Sequence, residues 1–376
     1  MQYRFDTLYK PVNEKNDLSY GVESIISVAN MYFKPDARIS DSEYLRTYNI
    51  FKYGDIAFEG NKSKSYANGR FVENTIGDGI VSHVFNVLRP LSPTHNLEYW
   101  KYAINNENVM GRILARCTKK TTMMTNLVTA DFLEQEICCP VELEQDKIAL
   151  FLSLIEKRLV TQERLVEHLK KYKRGAINNI FNGYAFDESV QECLLSDVAS
   201  FHQGLTYSPE DVSDTGYLVM RSSNIQNGRL SFADNVYVNK SISESLFVQE
   251  NDVLMCVRNG SKQLVGKTAI VNQPYSNMTW GAFMMIIRSK LKNTFVYYYL
   301  NSDSFFNQVF KDTGTATINQ ITKGTLNECR LFMPKPEQQE RICKYLDLLD
   351  EKLHKEEDFL ESLKLLKKSL LQHLFI

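Results

Sequence analysis

Residues 260–268 are the part of the sequence closest to a nucleotide-binding motif. They contain two glycines followed by Lys267 and Thr268, as in a phosphate-binding loop, but with one residue too many between the glycines. The next residues, 269–271, favour a strand, whereas a phosphate-binding loop must open a helix. We therefore expect no nucleotide site here. A Gly, Ser and Lys loop between strands is better suited to contacts with DNA phosphates.

Other catalytic patterns are equally incomplete. Residues 272–275, Asn-Gln-Pro-Tyr, resemble the Asn-Pro-Pro-Tyr loop of amino-group DNA methyltransferases, but Gln273 replaces the first proline. No Gly-x-Ser-x-Gly motif and no metal-type spacing of His or Cys occurs. The seven cysteines are widely spread, which is typical of reduced cytosolic thiols. We expect a binder without a catalytic or metal site.

The composition restricts the class of protein without identifying it. The 376 residues include 44 Lys or Arg and 45 Asp or Glu, for a formal net charge of −1, and 43% are hydrophobic. No apolar run reaches the roughly 18 residues of a transmembrane span, and residues 1–10 lack the apolar region of a secretion signal. We expect a soluble, cytoplasmic, multidomain chain with no membrane partner.

An internal repeat is the strongest feature of the sequence. Residues 120–140 align without a gap onto residues 314–334, and the alignment continues to the ends of two matching helical segments. Further upstream, Asp55 aligns with Asp252 and Gly69 with Gly266. We infer one domain that has been duplicated once.

Each copy ends in a long segment with apolar residues in a 4-3-4-3 rhythm, the pattern of a coiled coil. Polar residues interrupt the two seams at equivalent positions, 162 and 356 and then 173 and 367. The seam residues are Ile148, Leu152, Ile155 and Leu159 in the first copy, and Ile342, Leu346, Leu349 and Leu353 in the second. Antiparallel pairing of the two helices is favoured, because a parallel pair would need the intervening domain to reach back along their whole length.

The predicted fold class is therefore α+β. Two mixed α/β domains, 1–139 and 184–333, are joined by two long helices, 140–183 and 334–376, in an antiparallel coiled coil with a pseudo-two-fold duplication. The domains contain predicted helices at 98–114 and 294–310. Predicted strands lie at 49–58, 81–88, 246–257, 267–271 and 282–287.

This arrangement resembles the specificity subunit of type I restriction-modification systems. Pro336 to Ile342 match the family's segment that opens a conserved helix, and similar matches occur at 195–199 with Gly204, at 223–228, at 251–270, and from 313–315 to 331–334. In the first copy, 141–146 depart from the helix-opening motif. The resemblance covers nearly the whole chain.

The resemblance implies a subunit without a reaction of its own. Each target-recognition domain would read one half of an asymmetric bipartite sequence in double-stranded DNA, and each half of the chain would recruit one methyltransferase subunit that uses S-adenosylmethionine to methylate adenine. Restriction subunits that need ATP and Mg²⁺ belong to some such assemblies. The chain itself would hold no cofactor.

DNA contacts are expected from side chains that donate to bases in the major groove or to phosphates. The candidates in the second domain are Arg221, Arg258, Asn259, Lys262 and Lys267, and those in the first are Lys62, Lys64, Arg70, Lys119 and Lys120. Tyr66, Tyr207 and Trp280 could pack against sugars or bases, with the protein core as the alternative for Trp280.

Two other interpretations stay open from sequence alone. One is the recognition subunit of a related system whose endonuclease is a separate chain. The other is a coiled-coil protein that binds only proteins.

Overall fold

A computed structural model of the chain describes residues 1–39, 41–121, 124–184, 190–273, 275, 277–311 and 320–375. The chain forms two compact units. Unit 1 comprises Met1–Glu163 and Phe359–Ile376, and unit 2 comprises Arg164–Asp358. Each unit therefore includes part of both long helices as well as one of the domains expected from the sequence.

Unit 1 is built on a four-stranded antiparallel sheet. The strand order is Tyr9–Val12, Val87–Pro90, Ile56–Glu59 and Arg70–Glu73. The central strand Ile56–Glu59 is buried at every residue, which explains its continuous run of apolar side chains. Aromatic residues dominate the core on one side of this sheet.

Unit 2 repeats this sheet. The order is Ala199–Gln203, Met284–Ser289, Val253–Cys256 and Thr268–Ile270, again antiparallel throughout. A second four-stranded sheet packs beside it and contains one parallel pair. Its order is Val212–Ser213, Tyr237–Val238, Tyr217–Met220 and Met278–Trp280.

A buried ion pair occupies the same place in both sheets. Asp55 starts the turn into Ile56–Glu59 and accepts two hydrogen bonds from Arg89, at 2.8 and 2.9 Å. Asp252 accepts the same two bonds from Arg288, at 2.7 and 2.8 Å. In both turns the aspartate also accepts a backbone N–H three residues earlier. The repeat therefore extends to the hydrogen bonding of individual side chains.

Shorter elements complete unit 1. Paired strands are Gln2–Arg4 with Glu136–Cys138, Ile26–Ser27 with Tyr32–Phe33, Asn49–Phe51 with Gly79–Val81, and Thr118–Lys120 with Thr125–Leu127. Helices are Phe5–Leu8, Leu97–Ala103, Glu107–Cys117 and Thr129–Leu133, with 3-10 turns at Val22–Ser24 and Ser42–Thr47.

Unit 2 contains a similar set. Paired strands are Gln191–Leu194 with Arg330–Met333, and Ile225–Gln226 with Arg229–Leu230. Helices are Leu195–Val198, Phe295–Tyr299, Asp303–Val309 and Lys323–Glu328. Turns of 3-10 helix lie at Pro209–Asp211, Ser222–Asn224, Glu244–Leu246 and Lys262–Leu264, and a π-helical turn at Ile180–Tyr184.

Several predicted elements are shorter than expected. The segment 49–58 contains two strands rather than one, because Gly54 has a positive φ of 85° and turns the chain between them. In 246–257 the strand is confined to Val253–Cys256. The predicted helices 98–114 and 294–310 are each broken into two. Asn106 and Ser302 cap the second helix of each pair by accepting a backbone N–H, and such side chains favour a new helix start over a helix interior.

The two long helices are Glu142–Asn179 and Pro336–Leu374. Pro336 is the first residue of its helix. A backbone N–H at this position has no hydrogen-bond partner within the helix, so proline is tolerated there. Of the predicted seam residues, Leu152, Ile155 and Leu159 are buried in the first helix. Leu346, Leu349 and Leu353 are buried in the second, while Ile148 and Ile342 are half-buried.

The helices run antiparallel within each unit. In unit 2, Lys170 contacts Glu357 at 2.7 Å, whereas Lys173, further along its helix, contacts Asp350, which lies earlier on the other. In unit 1, Glu156 contacts Lys367 at 2.8 Å. The predicted fold class is thereby confirmed.

The polar interruptions at 173 and 367 are explained by these contacts. Lys173 pairs with Asp350 in unit 2 and Lys367 with Glu156 in unit 1, and these are equivalent positions in the repeat. Each ammonium also lies near a tyrosine ring, at 6.0 Å from Tyr298 and 5.7 Å from Tyr102. The second copy thus conserves the geometry of the first with a shorter carboxylate side chain.

Candidate nucleic-acid interface

A cleft of about 800 Å³ lies in unit 2 at the ends of three strands. Arg221 directly follows the strand Tyr217–Met220, and Phe283 directly precedes the strand Met284–Ser289. One residue separates Arg258 from the end of the strand Val253–Cys256. Asn259 and Tyr207 also line it. The structure therefore brings together three of the five candidates predicted in the second domain.

Arg258 is the most available guanidinium of the cleft. Its backbone is fixed because the N–H groups of Val257 and Arg258 both donate to the carbonyl of Phe283, at 3.0 and 3.2 Å. Its guanidinium lies over the Phe283 ring, 5.3 Å from the centroid. Among the described residues, no carboxylate forms an ion pair with Arg258. Its donors thus face solvent on an aromatic support.

Arg221 is held more tightly. Its Nη2 contacts Asp234 Oδ1 at 2.9 Å, and its backbone N–H donates to Asn224 Oδ1 at 2.8 Å. Its buried Nε and the buried hydroxyl of Ser223 find no hydrogen-bond partner among the described residues. Buried polar groups are normally paired, so this wall of the cleft retains unused hydrogen-bonding capacity.

Asn259 is engaged within its own loop. Its Nδ2 donates to Ser222 Oγ at 3.2 Å, and its Oδ1 accepts the N–H of Ser261 at 3.0 Å. It links the two loops that carry Arg221 and Arg258. This geometry suits a residue that positions the cleft wall.

Lys262 and Lys267 lie outside the residues that line this cleft. Lys262 is exposed in the 3-10 turn, with its ammonium 6.0 Å from the Phe310 ring. Lys267 is half-exposed and follows Gly266, whose φ is +88°. The chain then enters strand Thr268–Ile270 and not a helix, so residues 260–268 lack the geometry of a phosphate-binding loop.

In unit 1, four candidate lysines belong to one surface. Lys119 and Lys120 are exposed on the strand Thr118–Lys120. Lys62 donates to the carbonyl of Thr121 at 3.0 Å, next to the end of that strand. Lys64 is exposed two residues further along the Lys62 loop. These lysines form a basic, exposed surface.

Arg70 has a different environment. Its Nε pairs with Glu59 at 2.7 Å, its Nη2 donates to the carbonyl of Ala29 at 2.8 Å, and it lies 5.0 Å from the Tyr66 ring. Burial lowers the pKa of Arg70, but the hydrogen bond to Glu59, the charge of Glu59 and the interaction with Tyr66 together outweigh burial and raise that pKa. Most of its donors are thus committed within the protein.

The aromatic candidates divide between core and surface. Trp280 is fully buried and donates to the carbonyl of His202 at 3.0 Å, so it belongs to the core. Tyr207 lines the unit 2 cleft. Phe283 was not among the sequence candidates, although its ring is 59% exposed; its place in an apolar run gave no signal of this exposure.

Residues 313–315 and Pro274, which carry two of the sequence matches, lie outside the described residues. Within the part of the chain that is described, no group of three or more His, Cys, Asp or Glu side chains could hold a metal ion. The same part contains no helix long and apolar enough to cross a membrane.

Comparison with protein families gives a match at this site. The sequence profile of the type I restriction modification DNA specificity domain matches residues 188–364, which include the whole unit 2 cleft. Over these residues the chain is similar to a type I restriction-modification DNA specificity domain. The profile match begins just before the first strand of unit 2 and extends into the second long helix.

Curated relatives agree with this assignment. The chain is 28% identical over 162 residues to the EcoKI specificity subunit of Escherichia coli and 27% identical to the StySPI specificity subunit of Salmonella potsdam. Each match covers 41% of this chain and 35% of the relative. The chain thus matches about a third of the length of these relatives.

Solved structures share the fold along the whole chain. A type I restriction-modification S subunit from M. genitalium matches with a TM-score of 0.57 and 18% identity, covering 100% of this chain and 96% of that one. A chain from a structure on the assembly of a type I system matches with a TM-score of 0.62 and 16% identity, covering 100% and 97%. At these identities the likeness concerns the fold.

Proposed function

We propose that the chain is the DNA-recognition subunit of a type I restriction-modification complex and that each unit reads one half of an asymmetric bipartite target. One observation carries this proposal: the same sheet, with the same buried ion pair, presents different basic side chains in its two copies. Unit 2 presents Arg258 and Arg221 in a cleft, and unit 1 presents Lys62, Lys119 and Lys120 on an open surface. Different surfaces on one frame suit two different half-sites.

Arg258 is the strongest candidate for a base contact in unit 2. A guanidinium that is free to donate two parallel hydrogen bonds matches the O6 and N7 acceptors of guanine in the major groove. Arg221, restrained by Asp234, and the lysines of unit 1 are better suited to phosphates. Arg258→Ala should weaken binding to the target by roughly 1–3 kcal/mol.

The long helices offer a surface for two copies of a protein partner. Each unit carries four exposed apolar side chains at equivalent positions of the repeat. These are Phe151, Leu154, Phe359 and Leu366 in unit 1, and Tyr345, Leu348, Leu165 and Tyr172 in unit 2. In unit 2, Tyr172 and Tyr345 touch through their hydroxyls at 2.8 Å, which places both helices on one face. Repeated exposed apolar groups mark interaction sites, and we assign them to two methyltransferase subunits.

The remaining roles belong to the partners. S-adenosylmethionine binds the methyltransferase subunits, and ATP and Mg²⁺ bind a restriction subunit where one is present. The chain is a non-catalytic component of a cytoplasmic complex. Because its net charge is −1, its affinity for DNA depends on local surfaces and on the partners rather than on overall charge.

The test is to express the chain with its methyltransferase partner and to sequence the methylated adenines of the host genome. We expect one asymmetric motif of two specified parts separated by an unspecified spacer. Absence of any bipartite motif, with the assembled complex verified, would refute the proposal. Methylation without cleavage in the presence of every co-encoded subunit would indicate a system with a separate endonuclease or none.

A pair of variants tests the partner surface. Leu154→Arg and Leu348→Arg each place a charge in one of the two apolar sets, so each should remove one methyltransferase copy from the complex. Glu361→Arg in unit 1 and Glu351→Arg in unit 2 change exposed polar positions of the second long helix and should leave two copies bound. Mass measurement of the complex counts the copies; unchanged stoichiometry in both leucine variants would contradict the assignment.

A further inference from the structure

Unit 1 also contains a cleft, of about 740 Å³. The helix Leu97–Ala103, the edge strand Arg70–Glu73 and the C-terminal part of the second long helix contribute to its walls. Its lining includes Glu73, Tyr66, Tyr102 and Glu156. We propose that this cleft binds a guanidinium or primary ammonium group, with Glu73 as the counter-ion.

Glu73 is a buried acid with unused hydrogen-bonding capacity. The residue is 5% exposed, and its Oε2 has no hydrogen-bond partner among the described residues. Burial raises its pKa from 4.5 to about 9. An unpaired buried carboxyl is costly, so its persistence in the wall of a cleft suggests that a ligand completes it.

Two lysines, Lys101 and Lys368, line the same cleft as Glu73. Lys101 faces it from the helix Leu97–Ala103, but the Lys101 ammonium contacts Glu98 at 2.7 Å and Glu156 at 3.4 Å. Glu98 adds a like charge, and Tyr9 from the neighbouring sheet strands is neutral. Among the described residues, neither lysine forms an ion pair with Glu73, so an ionised Glu73 would lack a direct partner.

The equivalent cleft in unit 2 shows what can fill such a space. In unit 1, Glu73 pairs with Ile56 across the sheet. In unit 2, Ile270 pairs with Val253 at the equivalent place, so isoleucine replaces the acid. This cleft is smaller, about 310 Å³, and its lining includes Arg229. The hairpin Ile225–Leu230 directs that guanidinium to Asp358 at 2.9 Å and Glu357 at 3.4 Å.

The corresponding hairpin of unit 1 brings no such group. In unit 2, Arg229 pairs with Gln226 across the hairpin. Tyr32, which pairs with Ser27, has the equivalent place in unit 1, and it is 49% exposed. Unit 2 thus supplies its own guanidinium near the cleft, whereas unit 1 combines an open cleft with an unpaired acid. An external cation would give the ionised form of Glu73 a partner.

The remaining walls are suited to a planar cation. The rings of Tyr66 and Tyr102 line the cleft. Each already lies near a cation of the protein, Arg70 at 5.0 Å and Lys101 at 4.9 Å, which shows that both ring positions suit a cation. Asn106 is fixed, because its Nδ2 donates to the carbonyl of Leu371 at 2.9 Å and its Oδ1 accepts the N–H of Asn108 at 2.9 Å. Binding of the cation near neutral pH would ionise Glu73 and release its proton to the buffer.

Calorimetry with agmatine, which carries both a guanidinium and an ammonium group, tests this site in the isolated full-length chain. We expect one molecule per chain and about one proton released near neutral pH, measured by repeating the titration in buffers of different ionisation enthalpy. Glu73→Gln, which keeps the shape of the neutral side chain, should weaken binding at least tenfold, or about 1.4 kcal/mol. Glu43→Gln, at an exposed acid of unit 1, should bind as the wild type does.

The proposal would be overturned if the wild type bound no agmatine at concentrations up to about 10 mM. A dissociation constant of that size corresponds to a binding free energy of about −3 kcal/mol. Equal binding by a Glu73→Gln variant whose melting temperature shows that it is folded would also overturn the proposal.

A second experiment identifies the source of the cation. Competition between agmatine and the methyltransferase partner would show that a basic side chain of that partner enters the cleft; independent binding would show a free amine as ligand. The agmatine arm does not depend on the proposed function.

Discussion

Units 1 and 2 share an internal frame but differ in the surfaces that the frame carries. In both, a buried aspartate, Asp55 or Asp252, is bonded through two oxygens to an arginine on the adjacent strand. The loops at the strand ends differ: Arg258 lies over Phe283 in unit 2, whereas Lys62 and its neighbours lie on an open surface in unit 1. The duplicated part of the molecule is therefore the scaffold, and the divergent part is where recognition is expected.

The largest expected effect comes from breaking the shared frame. Asp55→Ala and Asp252→Ala each remove the buried carboxylate that pairs with an arginine, and Asp252→Ala should lower the free energy of unfolding by about 3 kcal/mol. Because Arg89 also contacts Glu14 at 3.0 Å, the loss for Asp55→Ala should be somewhat smaller. Chemical denaturation of the single variants measures them.

Asp6→Ala is the matched control, since Asp6 forms an exposed ion pair with Arg4 at 2.7 Å. Its effect should be below about 0.5 kcal/mol. A loss in either buried variant as small as in the control would show that the ion pairs do not stabilise the frame.

The coiled-coil lysines offer a sharper comparison. Lys173→Met leaves Asp350, which is 8% exposed, without its partner. Lys367→Met affects Glu156, whose side chain is 35% exposed. We expect a loss of about 2 kcal/mol for Lys173→Met and less than about 1 kcal/mol for Lys367→Met. Equal losses, measured by thermal unfolding, would mean that exposure of the carboxylate does not govern the cost.

Glu73→Ile gives unit 1 the residue that unit 2 has at this position. The pKa of Glu73 is raised, so the folded chain keeps a proton that the unfolded chain releases, and the stability of the wild type declines as pH rises from 4.5 towards about 9. The stability of the variant relative to the wild type should therefore increase as the pH rises from about 5 to about 8. A difference that does not change with pH would show that Glu73 ionises normally.

The sequence predicted the long-range organisation better than the local detail. The heptad pattern identified both long helices because it is repeated over many turns. Gly54, Asn106 and Ser302 divide predicted elements through a positive φ or a capping hydrogen bond, effects that periodicity does not show. These residues are turn and cap formers, so their positions were the available signal.

The candidate site shows the same division. Arg221, Arg258 and Asn259 were selected by residue type, and the fold brings them into one cleft. The sequence does not show that the donors of Arg70 are engaged within the protein and those of Arg258 are not. The partner of Arg70 is Glu59, which only the pairing of their two strands brings next to it. Phe283 lies in an apolar run, yet the turn in which the N–H of Met284 donates to the carbonyl of Gly281 leaves its ring outside the core.

The central claim is that the two units read different halves of one DNA target. Arg258→Ala, in complex with the methyltransferase partner, tests it directly by sequencing of methylated adenines. The account predicts that the motif loses specificity at a position in one half and keeps the other half and the spacer unchanged. Loss of specificity in both halves would contradict it. A motif that stays unchanged both in Arg258→Ala and in the unit 1 control Lys119→Ala would contradict it as well.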